Sequence, residues 1–118
     1  MKLKTIVAPI AAAIAALAVA QSGPTYTPAE AAKHVGETAT VTGKVDGFYQ
    51  SGKSNIFLNM GGAYPNQAFT AFIPSGSASQ FTNAQQYDGK TVSVSGKIQL
   101  YKEKPEIIVT SPSQVVTK

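Results

Sequence analysis

Beyond residue 36 the chain alternates apolar and polar residues with a period of two, and that alternation predicts strands. Residues 36–46 read GETATVTGKVD, with Ala39, Val41 and Val45 set against polar neighbours. The pattern returns at 89–99, GKTVSVSGKIQ, where Val92, Val94 and Ile98 take the matching places. Each copy carries a glycine inside the strand pattern, Gly43 and Gly96, which predicts a bulge or bend where a strand curls. Two copies are too few for a repeat array, so they read as two long strands with equivalent jobs. Between them, 55–60 sets Ile56, Leu58 and Met60 against Asn55, Phe57 and Asn59, and AFTAFI at 68–73 is stopped by Pro74. After the charged turn Lys102-Glu103-Lys104-Pro105, EIIVT at 106–110 is the last strand.

Other stretches follow other rules. Thr27-Pro28-Ala29-Glu30 is a helix start, with Thr27 to cap, Pro28 at the first position and Glu30 in the first turn. Gly36 ends that short helix. Residues 61–67 (GGAYPNQ) are turn chemistry, and 75–79 read as a flexible polar loop. At 80–87, Phe81, Ala84 and Tyr87 recur every three residues, an apolar stripe on a short helix or helical turns. Residues 112–116 form a tail that packs along the rim. The order strand, strand, strand, helix, strand, strand is that of an all-β fold, a five-stranded Greek-key barrel of the OB type. Its short helix lies between strands 3 and 4, and a short N-terminal helix precedes it. The bend glycines in both long strands favour a closed barrel over an open sandwich.

At the start of the chain, Lys2 and Lys4 precede an alanine-rich apolar run ending Ala18-Val19-Ala20. A positive start, an apolar middle and a small-x-small cleavage site make a secretory signal peptide. The run is too short and alanine-rich to predict a membrane span, which needs about 20 strongly apolar residues. The expected layout is a signal peptide at 1–20, a flexible lead-in at 21–26 and an OB-fold domain at 27–118. The expected product is exported, periplasmic or secreted, with no stable membrane insertion after signal cleavage. With no cysteine there is neither a lipid anchor at cysteine nor a disulfide.

Beyond residue 20, eight lysines face six acidic residues and there is no arginine. Arginine makes the bidentate contacts to phosphates and base edges, so its absence weighs against base reading. A single histidine, His34, excludes the usual zinc constellations, and no nucleophile elbow accompanies it. His34 reads as a surface histidine; no catalytic residue, metal or cofactor is expected. Gly47, Gly52, Lys53 and Ser54 fit G-x-x-x-x-G-K-[ST], but a phosphate loop needs a helix directly after it. Strand periodicity follows Ser54 instead, so 50–54 reads as a hairpin loop.

The stretches TPAEAAKHVGETATVTGKV, FLNM, AYPNQAFTAFI and GKIQLYKEKPEIIVTSPSQV resemble the small bacterial OB-fold domains described as nucleic-acid binding. The anticodon-binding (tRNA-anti) type of OB domain is similar in outline. The resemblance covers nearly all of 27–116 and is most specific over 96–115. It implies the fold, and binding rather than catalysis. In anticodon-binding OB domains the second strand often reads Phe-aliphatic-Asp-aliphatic-Arg-Asp, and its Phe stacks on an unpaired base. Here Phe57-Leu58-Asn59-Met60 matches the first four places, with Asn59 for the acid; Gly61-Gly62 replaces the Arg-Asp pair. The alternation agrees, turning Phe57 and Asn59 outward. Lys53 in the first loop and Tyr101, Lys102 and Lys104 in the last hairpin belong to the loops that flank the binding face in this fold. Lysine beside an aromatic ring suits single-stranded DNA or RNA, where charge tracks phosphate and the ring takes a base.

The ligand-binding set is therefore Phe57, Asn59, Lys53, Tyr101, Lys102 and Lys104. A competing reading covers Phe57 with the N-terminal segment or the loop after Met60. Phe48, Tyr49 and Phe72 are further candidates whose facing the strand glycines leave open. Tyr64 is either a loop anchor or a contact. Fold alone does not fix the ligand, so the alternative partner is an envelope protein, a glycan or a small ligand on the same face.

Overall fold

The computed structural model describes residues 23–118; the expected signal peptide and the first two residues of the lead-in lie outside the described residues. Seven strands form one sheet: β1 (Thr25–Tyr26), β2 (Thr38–Gln50), β3 (Ile56–Met60), β4 (Phe69–Ile73), β5 (Thr91–Tyr101), β6 (Lys104–Ile108) and β7 (Val115–Thr117). Their order is β1-β2-β3-β4-β6-β5-β7, and β2 also pairs with β5, so β2-β3-β4-β6-β5 close into a ring. The ring strands are the five expected from the sequence, except that Lys104 and Pro105, expected in the charged turn, open β6, which ends at Ile108 rather than Thr110. β1 and β7 are additions, laid along the outer edges of the β2–β5 pair. The inward set is the one the alternation picks out. Ala39, Val41 and Val45 of β2, Ile56, Leu58 and Met60 of β3, Val92, Val94 and Ile98 of β5, and Ile107 of β6 are all buried, with Phe69, Ala71 and Ile73 of β4.

The two echoing stretches pair with each other. Their antiparallel register sets Val41 opposite its own counterpart Val94. Thr40 and Thr42 meet Ser95 and Ser93, with hydroxyl hydrogen bonds of 2.9 and 2.7 Å. Each strand then changes partner. β2 leaves β5 after Lys44 and joins β3 from Val45, and β5 leaves β2 after Lys97 and joins β6 from Ile98. Gly43 and Gly96 each stand one residue before a transfer, where neighbours press close. A Cβ on Gly43 would lie 2.6 Å from Cγ of Pro28, and one on Gly96 2.6 Å from Cγ2 of Ile107. The bulge itself is at Asp46, where the β2–β3 register slips between Val45 and Gly47.

Thr25–Tyr26, expected in a loose lead-in, pairs in parallel with β2. The Tyr26 ring stacks on His34 at 3.7 Å between centroids, and its hydroxyl donates to Glu37 Oε1 at 2.7 Å. That bond to a carboxylate pushes the Tyr26 phenol up to about 12, and it holds the Glu37 carboxyl below its usual range together with the His34 contact. His34, expected to be an ordinary surface residue, is thus a packing partner of β1. The N-terminal helix is the 3-10 helix Pro28–Lys33, started by a reciprocal cap. Thr27 Oγ1 accepts from the Glu30 amide, and Glu30 Oε1 accepts from the Thr27 amide.

Between β4 and β5 the expected loop and helix differ from what forms. Ser75–Ala78 makes an α-helical turn, and of 80–87 only Ala84–Tyr87 is helical, as a 3-10 turn. Phe81 and Ala84 are still buried as the stripe requires. At the C-terminus, Gln114 ties the tail down. Its Nε2 donates to the carbonyls of Ser95 and Ile108 and its Oε1 accepts from the amides of Thr110 and Ser111.

Candidate ligand-binding face

The register across β2, β3, β4 and β6 lines up outward side chains in rows. Tyr49, Phe57, Phe72 and Ile108 are successive cross-strand partners. Ring centroids are 5.8 Å apart for Tyr49–Phe57 and 5.2 Å for Phe57–Phe72, with the planes tilted by 32° and 48°. Phe57 and Phe72 are half-buried and Tyr49 is exposed. The Phe57 ring is flanked by the rings on either side. Phe48 turns the other way and packs against the core. The result is a continuous aromatic strip crossing three strands.

One step along the strands lies a second row, Gly47, Asn59, Thr70 and Glu106. Asn59 faces outward as the alternation requires, yet it is only 5% exposed, and Thr70 is 7% exposed. Residues 61–67 roof them. Ala63 lies 3.8 Å from where a Gly47 Cβ would stand, ordinary van der Waals distance, so the loop packs close on the sheet there. Beneath it Thr70 Oγ1 donates to Asn59 Oδ1 at 2.9 Å. The roof is pinned at both ends. Asp46 Oδ2 accepts from the Gly62 amide at 2.8 Å, and Lys104 Nζ donates to the carbonyls of Pro65 and Gln67 at 2.8 and 3.0 Å. Two residues expected to meet ligand are therefore engaged by the fold: Asn59 is covered, and the Lys104 ammonium holds a loop. Glu106, half-buried beside them, has its carboxyl pushed up by burial.

Replacing Lys104 with methionine removes both of these charge-assisted bonds but keeps the stem of the side chain. The expected cost is about 1–2 kcal/mol, the low end for bonds to charged groups because one acceptor is exposed. Hydrogen exchange at the Asn66 and Ala68 amides should accelerate well beyond the rest of the sheet. Unchanged exchange there would mean the lysine does not hold the loop.

The remaining expected residues sit at the two ends of the face rather than around Phe57. Lys53 is exposed in the turn joining β2 to β3, next to the aromatic row. That turn is closed by Ser51 Oγ, which accepts from the Asn55 amide, and β3 follows directly, so no helix is present to complete a phosphate loop. Tyr101 and Lys102 are exposed at the opposite end, in the β5–β6 hairpin, with Lys102 Nζ 5.4 Å from the Tyr101 ring centroid. Tyr49 and Phe72 join the strip, and Lys97, exposed on β5 beside the inward pair Ile98–Ile107, adds a cation near Ile108. Among the described residues no group of three His, Cys, Asp or Glu could hold a metal ion, and no helix is long and apolar enough to cross a membrane.

No family model matches the chain, and no curated protein matches it. Solved structures do. A protein assigned as an aspartyl-tRNA synthetase from Leishmania major Friedlin superposes with a TM-score of 0.54 at 13% identity, over 79% of this chain and 20% of that one. The aspartyl-tRNA synthetase of Entamoeba histolytica gives 0.51 at 18% identity, over 78% and 21%. This chain therefore spans about a fifth of the length of the synthetases it matches. An OBody, AM1L10, bound to hen egg-white lysozyme gives 0.57 at 16% identity, over 79% and 91%. At these identities the likeness is one of fold, and the fold is OB-like.

Proposed function

We propose that the chain is a non-catalytic binding module that takes single-stranded nucleic acid, DNA or RNA, across the aromatic strip of β2, β3 and β4. In this reading the five-stranded ring is a Greek-key OB barrel within a domain at 27–118, exported after loss of a signal peptide at 1–20. The observation that carries it is the row Tyr49–Phe57–Phe72, whose rings are open to solvent on one side and spaced as successive platforms. Bases stack on such rings without sequence preference, each for about 1–3 kcal/mol. Lys53 in the β2–β3 turn, Lys97 near Ile108 and Lys102 in the β5–β6 hairpin supply charge for the backbone. The likeness to aspartyl-tRNA synthetases supports the class of ligand.

A protein partner is the second reading, favoured by one observation. Ile108 continues the strip as an apolar side chain, and the OBody of similar fold is bound to lysozyme. The two readings separate by salt. Three free lysines release about three counterions, giving a slope of roughly −2 in log affinity against log salt for a single strand; an apolar protein contact has almost none.

The test is binding of a fluorescent single-stranded DNA 12-mer at low and moderate salt, with Phe57→Ala beside the parent. We expect micromolar affinity that falls with salt, and a loss of about 5- to 150-fold in Phe57→Ala from one stacked base. Absence of binding at low salt, or binding indifferent to both salt and Phe57, removes nucleic acid as the ligand.

A further inference from the structure

Tyr64 stands at the crest of the loop that roofs the second row, and it is 76% exposed, the most exposed large hydrophobic side chain among the described residues. Its neighbours are held fast. The Ala63 side chain packs near Gly47 on β2 and its carbonyl accepts from the Asn66 amide at 2.7 Å, while the Pro65 carbonyl accepts from Lys104 at the start of β6. The loop thus crosses the outer face from β2 toward β6, and Tyr64 rides on it. A loop anchor would bury its ring or tie up its hydroxyl. This ring does neither: no hydrogen bond of its hydroxyl is present among the described residues, so the loop is pinned by other groups and the tyrosine is left free.

We propose that Tyr64 is a second stacking subsite for a nucleotide, one that extends the path of the strand beyond the aromatic row; the inference rests on the nucleic-acid reading above. A strand lying over Tyr49, Phe57 and Phe72 is bounded on the hairpin side by the roof loop. To continue toward Tyr101 and Lys102 it passes over that loop and meets Tyr64 first. Tyr101 is itself 56% exposed, with the Lys102 ammonium beside its ring, so the far end offers a further ring and a cation for phosphate. The pinned loop makes the backbone of this subsite preorganised: little loop freedom is lost when a base lands on a ring whose backbone is already fixed. Stacking reads no particular base, so the subsite adds length to the footprint rather than sequence selectivity.

The experiment is a length series of oligothymidylates of 3, 6 and 12 nucleotides, titrated at low salt against the parent, Tyr64→Ala, Tyr64→Phe and Phe57→Ala. We expect Tyr64→Ala to lower affinity for the 12-mer by about 5- to 150-fold, as one lost stacked base should, and to change the 3-mer by less than about twofold. Tyr64→Phe should restore the 12-mer, since the ring and not the hydroxyl is used. An unchanged melting temperature in Tyr64→Ala separates lost contact from lost structure. If Tyr64→Ala binds all three lengths like the parent while Phe57→Ala is still weakened, the subsite is wrong and the strip stands. If the parent binds no oligomer of any length, the nucleic-acid reading falls and takes the subsite with it.

Discussion

Gly96→Val will destabilise the chain by about 2–5 kcal/mol. Two causes act together. The Gly96 backbone has φ +154°, a region an L residue rarely adopts and a β-branched one least of all. A Cβ there would also meet Ile107 Cγ2 at 2.6 Å and Gln114 Nε2 at 3.2 Å. Neither neighbour can give way cheaply. Ile107 is fully buried, and Gln114 is the residue that fastens the C-terminal tail to β5 and β6. In a domain of this size each kcal/mol lowers the melting temperature by roughly 4–8 °C, so the fall should be at least about 8 °C. Gly96→Ala should lie between parent and valine. Gly52→Ala, where a Cβ would meet nothing within 4 Å, is the control and should stay within about 0.5 kcal/mol of the parent. A Gly96→Val variant as stable as that control would mean that β5 tolerates a side chain at its partner transfer.

The same glycine shows what can be read before a structure is known. Gly43 and Gly96 stood out because glycine interrupts an otherwise β-branched run, and both do mark places where a long strand changes partner. Period-two alternation also gave the inward set of β3 correctly, since a residue there can face only in or out. It failed where a single insertion reverses parity. The Asp46 bulge shifts β2 by one, so the facing of Phe48 and Tyr49 was open until the register with β3 was known. Phe72 was legible in principle: in AFTAFI it has the opposite parity to Phe69, Ala71 and Ile73, all of them buried.

What no local pattern carries is the pairing of distant groups. Lys104 is a charged residue near a hairpin tip, and nothing near it in sequence indicates that its ammonium reaches carbonyls of residues 65 and 67. Asn59 likewise faces outward by alternation and is covered only because a loop from the same hairpin folds back over it. The short strands β1 and β7 are too brief to show a period, and each exists because the β2–β5 pair offers open edges on both sides. Hence the strip was half legible and its boundary was not. An outward Phe57 follows from the sequence, whereas the roof that ends the strip on one side depends on contacts across the ring.

Removing Phe57 and Phe72 together should reduce affinity for a single-stranded 12-mer by about 100-fold, close to the product of two losses of about tenfold each. The two rings are direct cross-strand partners with centroids 5.2 Å apart, within the span of a single base. Their planes, however, are inclined by 48°, so a flat base lying face to face on one cannot lie face to face on the other. Two rings then serve two bases, and the double variant beside both single variants measures how far the two losses multiply, since rings in contact can couple. The fold should survive, because a cross-strand aromatic pair on an outer face is worth only about 0.2–1 kcal/mol relative to alanine. Titration of the double variant beside both single alanine variants, with melting curves on all four proteins, reads both quantities. If the double variant binds no more weakly than Phe57→Ala alone, the pair is a single platform or Phe72 lies outside the path, and the strand crosses fewer strands of the sheet than the row of rings allows.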